Sequence, residues 1–244
     1  MKFFYNENQI VRVKREKEKT IERIPFEVYI RGVLAGEMPT SFHIEALKAQ
    51  AVAARSYVLK KMEQNKNEQY DVVDTVSNQV YLSDQQLKEK WGKDYVSKMN
   101  KITTAVLETT GEYLEYQGEI AEAFFFSTSA GKTENVEEVF SEKLPYLRSV
   151  DSSWDKEESP VYEVEKRFSL KEFYQLLGLQ YQDSLVVKIT KTTSTGRIKE
   201  LQINGTIFSG STVYQKLALR STFFEIKKIK NEIIVTTRGF CHRV

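Results

Sequence analysis

Glu37 is the residue of this chain with the clearest potential for acid chemistry. It lies at the end of a predicted helix that begins at Pro25 and stops before Pro39, because a proline disfavours helical geometry at the residue before it. Glu37 also continues an apolar stripe at spacings of three and four residues, which consists of Phe26, Tyr29, Ile30, Val33 and Leu34. Partial burial and the negative end of the helix dipole both favour a protonated carboxyl. The pattern therefore predicts a general acid at position 37, with a solvated surface glutamate as the alternative.

An alanine-rich helix is predicted directly after this turn. Ser41 is placed to cap it, and Glu45 lies in its first turn, where the helix dipole favours a negative charge. The residues at helical spacing that mark its buried face are Leu47, Ala51, Ala54 and Val58. Alanines at positions 46, 49, 51, 53 and 54 allow another backbone or a ligand to approach closely. This helix is therefore expected to pack tightly beside the one that carries Glu37.

Several segments of the chain resemble the stage II sporulation protein D family, whose relatives include amidase enhancers. The first is EALKAQAVAARSY, which follows GVLAGEMP. The others, in chain order, are DTVSNQVY, FFFSTSAGKTENVEEVF, LPYLRSVDSSWD, LALRSTFFEI and TTRGFCHRV. The matching segments cover most of the chain in order, so coincidence does not account for them.

The resemblance implies a bacterial cell-wall enzyme, a lytic transglycosylase that cleaves peptidoglycan glycan strands during engulfment in sporulation, preferably strands already stripped of peptide. In the family the glutamate of the GEMP-like motif is the catalytic acid, which corresponds to Glu37 here. One carboxyl suffices for this reaction, whereas a hydrolytic glycosidase usually needs two. The second carboxylate of a hydrolase would be Glu45, Glu134 or Asp151, of which Glu45 is expected to order its helix and the others to contact local backbone.

The resemblance also implies partners and a location. Beyond the glycan strands, the expected partners are a sporulation amidase or endopeptidase and a membrane scaffold protein. Family members are tethered by an N-terminal membrane helix, so this chain is expected to be an extracytoplasmic, soluble ectodomain whose anchor has been removed, working at the sporulation septum and engulfing membrane. A non-catalytic wall-binding module that enhances a partner amidase is the alternative function.

A second polar motif runs from Ser127 to Asn135, after an aromatic segment that is predicted to be a buried strand. Its side chains could hydrogen-bond the hydroxyl and acetamido groups of a sugar, and the predicted substrate-binding residues are Ser127, Ser129, Lys132 and Thr133. An ordinary strand-to-helix connection remains open. SAGKT also resembles the end of a phosphate-binding loop, but that motif requires a glycine where this chain has Phe126, so nucleotide binding is disfavoured.

Six further residues complete the predicted substrate site. Gln50 and Arg55 lie on the alanine-rich helix, where a packing role for Arg55 is equally consistent with the sequence. Ser77, Gln79 and Tyr81 belong to the DTVSNQVY segment, which offers an aromatic ring that could stack on a sugar. His242 belongs to the last matching segment.

Composition excludes several classes of function. The net charge of +2, from 36 basic and 34 acidic side chains, provides no strong field for nucleic acid. His43, His242 and Cys241 are the only histidines and the only cysteine, and their spacing fits no metal site, so neither a metal nor another cofactor is expected. No apolar run approaches the ~18 residues of a membrane span.

The order of elements predicts an α+β protein. A charged strand or arm at Val11–Arg23 precedes the two helices, a helical region spans Asp84–Leu107, and a hairpin turns at Gly118. After Pro160 the pattern predicts a strand, a helix closed by Gly178, two strands joined near Gly196, a short helix and further strands. We expect a catalytic lobe of residues 1–159 with 235–244, and a smaller inserted lobe of residues 160–234, with a sugar groove between them.

Overall fold

The computed structural model describes residues 9–140 and 142–240. Its contacts divide the chain into two compact units, Met1–Phe125 and Phe126–Val244. Helices and sheets occur in both, which confirms the α+β class.

The first unit is a small sheet with four helices. Strands β1 (Ile10–Arg15) and β2 (Thr20–Pro25) form an antiparallel hairpin, and β3 (Val72–Val73) pairs with β1 in parallel, giving the order β2-β1-β3. The helices are α1 (Phe26–Glu37), α2 (Ile44–Gln64), α3 (Asp84–Trp91) and α4 (Tyr95–Leu107). A short hairpin, β4 (Glu115–Tyr116) and β5 (Glu119–Ile120), follows them and turns at Gly118 as predicted.

The core of the first unit contains the residues whose helical spacing predicted burial. The stripe of α1 is buried, and so are Leu47, Ala51, Ala54 and Val58 of α2. Val11 and Val13 of β1 are also fully buried, so the charged N-terminal strand has one apolar face in the core. Alternation along a strand explains this, since successive side chains point to opposite faces.

Two helix boundaries differ from the prediction. Ser41 does not cap α2; His43 does, with its Nδ1 accepting a hydrogen bond from the Glu45 N–H at 3.3 Å. The predicted helix over Asp84–Leu107 is divided by a 3₁₀ turn at Gly92–Asp94, where Gly92 has φ +50°. Glycine reaches this conformation without the steric cost that a side chain imposes.

The second unit contains two antiparallel three-stranded sheets. One has the order β10-β11-β6 and the other β7-β8-β9. The strands are β6 (Glu163–Ser169), β7 (Val187–Thr192), β8 (Ile198–Ile203), β9 (Thr206–Ser209), β10 (Phe224–Ile229) and β11 (Glu232–Arg238). The helices are α5 (Asp155–Glu158), α6 (Leu170–Leu177) and α7 (Gly210–Lys216). Gly178 ends α6 in a left-handed conformation, as its position predicted.

The division of the chain differs from the predicted lobes. The boundary falls at Phe125 and Phe126 instead of after residue 159. Strand β11 does not leave the second unit, because Glu232–Arg238 pairs along its length with β6. The predicted buried strand before Ser127 is also absent, since residues 121–126 form no strand; isolated bridges follow it, between Thr128 and Phe240 and between Lys132 and Asp151.

Candidate functional site

Glu37 is the last residue of α1, and its side chain is half-buried. The helix closes with the Met38 N–H donating to the Leu34 carbonyl at 3.1 Å, and Pro39 follows. The Glu37 Oε1 atom accepts a hydrogen bond from the Val80 N–H at 2.6 Å. A donated hydrogen bond stabilises the ionised carboxylate, whereas burial and the C-terminal end of the helix dipole favour the protonated form. These opposing effects suit a carboxyl that must both release and accept a proton.

Two glycines of α1 bring the DTVSNQVY segment against the helix. A Cβ at Gly36 would lie 2.3 Å from the Val80 carbonyl oxygen, and one at Gly32 would lie 2.3 Å from Cε2 of Tyr81. The Leu82 N–H donates to the Gly32 carbonyl at 3.3 Å. Because the two glycines are four residues apart, they share one helix face. That face holds the Val80 N–H against the Glu37 carboxylate.

Replacing Gly36 with alanine is expected to destabilise the first unit by about 1–3 kcal/mol, because the new methyl group displaces the Val80 backbone. Helix propensity alone would give the opposite sign, a gain of about 1 kcal/mol. Urea unfolding distinguishes the two outcomes, with Val28→Ala on the exposed part of α1 as the control. A Gly36→Ala variant as stable as the wild type or more so would contradict the close packing.

Gln79 and Tyr81, both predicted to bind substrate, are interior residues. Gln79 is fully buried; its amide accepts from the Tyr29 hydroxyl at 3.1 Å and donates to the Ala54 carbonyl at 3.2 Å. Tyr81 stacks on Tyr29 with ring centroids 5.4 Å apart. Burial raises the pKa of Tyr81 to about 12, so its phenol stays neutral at physiological pH. Their contacts fix the conformation of the segment that meets Glu37, while Ser77 of the same segment is exposed.

Arg55 and Gln50 occupy different environments on α2. Arg55 is 1% exposed and its guanidinium pairs with both carboxylate oxygens of Glu27, at 3.1 and 2.9 Å. It also donates to the Glu112 carbonyl at 2.9 Å, so these donors are occupied by protein partners. Gln50 is half-buried, and its Nε2 makes no hydrogen bond within the described part of the chain. Of the two, Gln50 retains the free donor that a ligand requires.

The second motif lies in the second unit, so the predicted residues form two groups within the chain. Ser129 is buried; its Oγ accepts from the Gly131 N–H at 3.1 Å, and its own N–H donates to Asp155 at 2.6 Å. Thr133 accepts from the Val150 N–H at 2.9 Å. Both therefore hold the loop together, whereas Ser127 and Lys132 are exposed. His242 lies outside the described residues.

The three candidate second carboxylates are each held by a local partner. Hydrogen bonding to Lys48 lowers the pKa of Glu45, and hydrogen bonding to Ser153 lowers the pKa of Asp151. Glu134 pairs with Arg197, with 2.7 Å between Oε1 and Nε.

Within residues 9–140 and 142–240 there is no group of three or more His, Cys, Asp or Glu side chains that would hold a metal. None of the helices in these residues is long and apolar enough to cross a membrane.

Sequence reasoning missed three parts of this arrangement, the Val80 N–H and the two glycines that place it. The Val80 N–H gives no signal in the sequence because every residue except proline carries one. The glycines did give a signal. Gly32 and Gly36 are spaced by one helical turn in a segment that otherwise forms helix readily, which is typical of a face where another backbone approaches closely.

Comparison with known proteins defines the family. The family model described as Stage II sporulation protein matches residues 14–116. The chain is 44% identical over 237 residues to Stage II sporulation protein D of Bacillus subtilis (strain 168), covering 95% of this chain and 69% of that protein. It is 45% identical over 240 residues to the Bacillus amyloliquefaciens protein of the same name, covering 96% and 69%. An Amidase enhancer of Bacillus subtilis (strain 168) is 41% identical over 118 residues, which are 48% of this chain and 14% of that protein. The protein therefore belongs to the stage II sporulation protein D family, and its role lies in sporulation.

Proposed function

We propose that this protein is a lytic transglycosylase that cleaves peptidoglycan strands between N-acetylmuramic acid and N-acetylglucosamine, with Glu37 as its catalytic residue. The observation that carries the proposal is the setting of Glu37, at a helix end, half-buried and held by the Val80 N–H. Peptide-free strands in the engulfing cell are the proposed substrate. Membership of a sporulation family supports the proposal that the reaction takes place during sporulation.

One carboxyl performs both proton transfers of this reaction. Glu37 first protonates the glycosidic oxygen, and the bond between that oxygen and the anomeric carbon of the muramic residue breaks. The muramic 6-hydroxyl then attacks the anomeric carbon, and its proton passes to the Glu37 carboxylate. The product carries a 1,6-anhydro end, and Glu37 is again protonated. The Val80 N–H stabilises the Glu37 carboxylate that exists between the two proton transfers. Burial and the helix dipole favour the return of the proton to this carboxylate.

A second function, enhancement of a partner amidase without catalysis, is favoured by a specific observation. The relative named Amidase enhancer shares 41% identity over 118 residues of this chain. In this alternative the Glu37–Val80 hydrogen bond is structural and the protein binds the wall beside an amidase. An amidase partner is compatible with the first function as well, since removal of peptides would supply the strands to be cleaved. We also propose that the protein is tethered on the outer side of the cytoplasmic membrane and that it docks on a membrane scaffold protein.

Mass spectrometry of digested, peptide-free glycan strands tests the proposed function. A lytic transglycosylase releases fragments that end in 1,6-anhydro-muramic acid, and a hydrolase releases fragments with a reducing end. We expect anhydro ends. Reducing ends would replace the proposal with hydrolysis, and intact strands in the presence of folded protein would favour the amidase-enhancing function.

A further inference from the structure

A cavity of about 280 Å³ lies within the second unit, between the second motif and the turn that joins β7 to β8. Its lining residues are Ala130, Gly131, Lys132, Ser194, Thr195, Arg197 and Phe223. Two of these side chains are cationic and none is acidic. The composition of the wall therefore favours a ligand that carries negative charge.

Arg197 is the residue of this wall whose hydrogen bonding is incomplete. It is 4% exposed, and its Nε pairs with the Glu134 carboxylate at 2.7 Å. The buried Nη1 donates no hydrogen bond to any described residue. Unsatisfied donors of a buried guanidinium are costly and uncommon. Oxygen atoms of a ligand in the cavity would satisfy them.

Two nearby acids, Glu134 and Glu138, have partners of their own. Glu134 accepts from the Thr193 and Thr195 hydroxyls and forms an ion pair with Arg197. Glu138 accepts from the backbone N–H of Ser194 at 2.9 Å and from its hydroxyl at 2.6 Å.

The charge of Arg197 is balanced by Glu134, whereas its Nη1 has no hydrogen-bond partner among the described residues. Lys132 is exposed, and its charge, after the hydrogen bonds from Ser153, helps to lower the pKa of the Asp151 carboxyl. The donors that remain for a ligand are thus Arg197 Nη1 and the Lys132 ammonium, a pair suited to a carboxylate.

An aromatic wall accompanies these cations. Phe223 lines the cavity, and its ring approaches the turn closely enough that a Cβ at Gly196 would lie 3.3 Å from it. Gly196 has φ +96°, a conformation that also disfavours a side chain. The cavity therefore combines an apolar ring with cationic donors, which matches a carboxylate carried on a small apolar group or sugar face.

We propose that this cavity binds the lactyl carboxylate of N-acetylmuramic acid. That group is an amide while a peptide is attached and becomes a free carboxylate when the peptide is removed, so the cavity would distinguish peptide-free strands from substituted ones. The identity of the ligand rests on the proposed function, whereas the preference for a carboxylate rests on Arg197, Lys132 and Phe223. The lactyl methyl group and the sugar ring would contact Phe223.

Titration of the full chain with monosaccharides, followed by NMR of backbone amides, tests the proposal. We expect N-acetylmuramic acid to bind at least about tenfold more tightly than its carboxamide or N-acetylglucosamine, since only the acid offers a charged acceptor. Signals of Gly131 and Ser194 are expected to shift. Equal affinity for the acid and the carboxamide would overturn the proposal, and inorganic phosphate or a free peptide carboxylate binding as tightly as the acid would overturn the assignment to muramic acid.

Variants locate the binding in the cavity. Arg197→Lys keeps a positive charge beside Glu134 and is expected to weaken N-acetylmuramic acid binding about tenfold. Lys132→Ala, at an exposed position that does not threaten folding, is expected to weaken it about threefold. Lys199→Ala is the matched control because Lys199 lies on β8 outside the cavity wall and pairs with Glu138. Unchanged binding in both cavity variants would overturn the proposal. No bond is cleaved in this titration, so its outcome does not depend on whether Glu37 is catalytic.

Discussion

Replacing Glu37 with glutamine is expected to lower the rate of glycan cleavage by about 10² to 10⁴-fold, because glutamine cannot donate or accept the transferred proton. Glutamine has nearly the same size and shape as glutamate. Glutamine keeps an Oε1 acceptor for the Val80 N–H, so the hydrogen bond at 2.6 Å and the packing of that segment are retained. The measurement is the rate of anhydro-end release from peptide-free strands, with strand binding followed in parallel.

Two further variants separate catalysis from structure. Glu37→Ala removes both the acid and the acceptor, so it is expected to lose the same activity and, in addition, about 1–3 kcal/mol of stability through the unpaired Val80 N–H. Glu45→Gln is the matched control, since Glu45 is an exposed glutamate in the next helix that pairs with Lys48. A Glu37→Gln variant that cleaves strands at the wild-type rate would refute a catalytic role for this residue.

Replacing Arg55 with alanine is expected to destabilise the first unit by about 3–5 kcal/mol, because the Glu27 carboxylate loses its buried partner. Arg55 joins α2 to α1 through Glu27 and to the chain after α4 through the Glu112 carbonyl. Urea unfolding measures the loss. The chain has two tryptophans, and Trp154 is exposed, so a Trp154→Phe background leaves Trp91 of the first unit as the fluorescent reporter.

The same variant decides between packing and substrate binding at Arg55. Arg167→Ala is the control, since Arg167 is an exposed arginine whose pairs with Glu165 and Glu232 are expected to contribute under about 1 kcal/mol. A Glu27→Ala variant and the double variant complete a cycle in which the two losses are expected not to add. If Arg55→Ala kept its stability but lost affinity for glycan, Arg55 would be a binding residue and its packing role would be refuted.

The elements beside Glu37 could be predicted because their signals are local. Pro25 and Pro39 bracket α1, and the spacing of its apolar residues repeats with each turn. The α6 helix was equally clear, with Ser169 accepting from the Glu172 N–H at its start and Gly178 at its end. The cap of α2 was missed because Ser41 and His43 both offer a side-chain acceptor, and the path of the turn after Pro39 decided between them.

The pairing of strands that are distant in the chain could not be predicted from the local sequence pattern. The aromatic run before Ser127 has the composition of a buried strand, yet a strand requires a partner along its length, and residues 121–126 form no strand or bridge. Residues 235–244 were expected to return to the catalytic lobe; in the structure Glu232–Arg238 pairs with β6, and Phe240 forms a bridge with Thr128. Sequence periodicity indicates that a strand exists and says little about which strand pairs with it.

The sequence by itself determined that an acidic residue ends the first helix, that an alanine-rich helix follows, and that both bury one face. Each of these results depends on residues within a few turns of one another. Only the tertiary structure decided that Glu37 accepts the Val80 N–H, 43 residues away, and that Arg55 pairs with Glu27, 28 residues away. Such contacts depend on how elements pack, and the two glycines of α1 matter only because another backbone crosses their face. The position of the carboxylate at the helix end was therefore predicted from sequence, whereas its hydrogen bond to the Val80 N–H depends on packing.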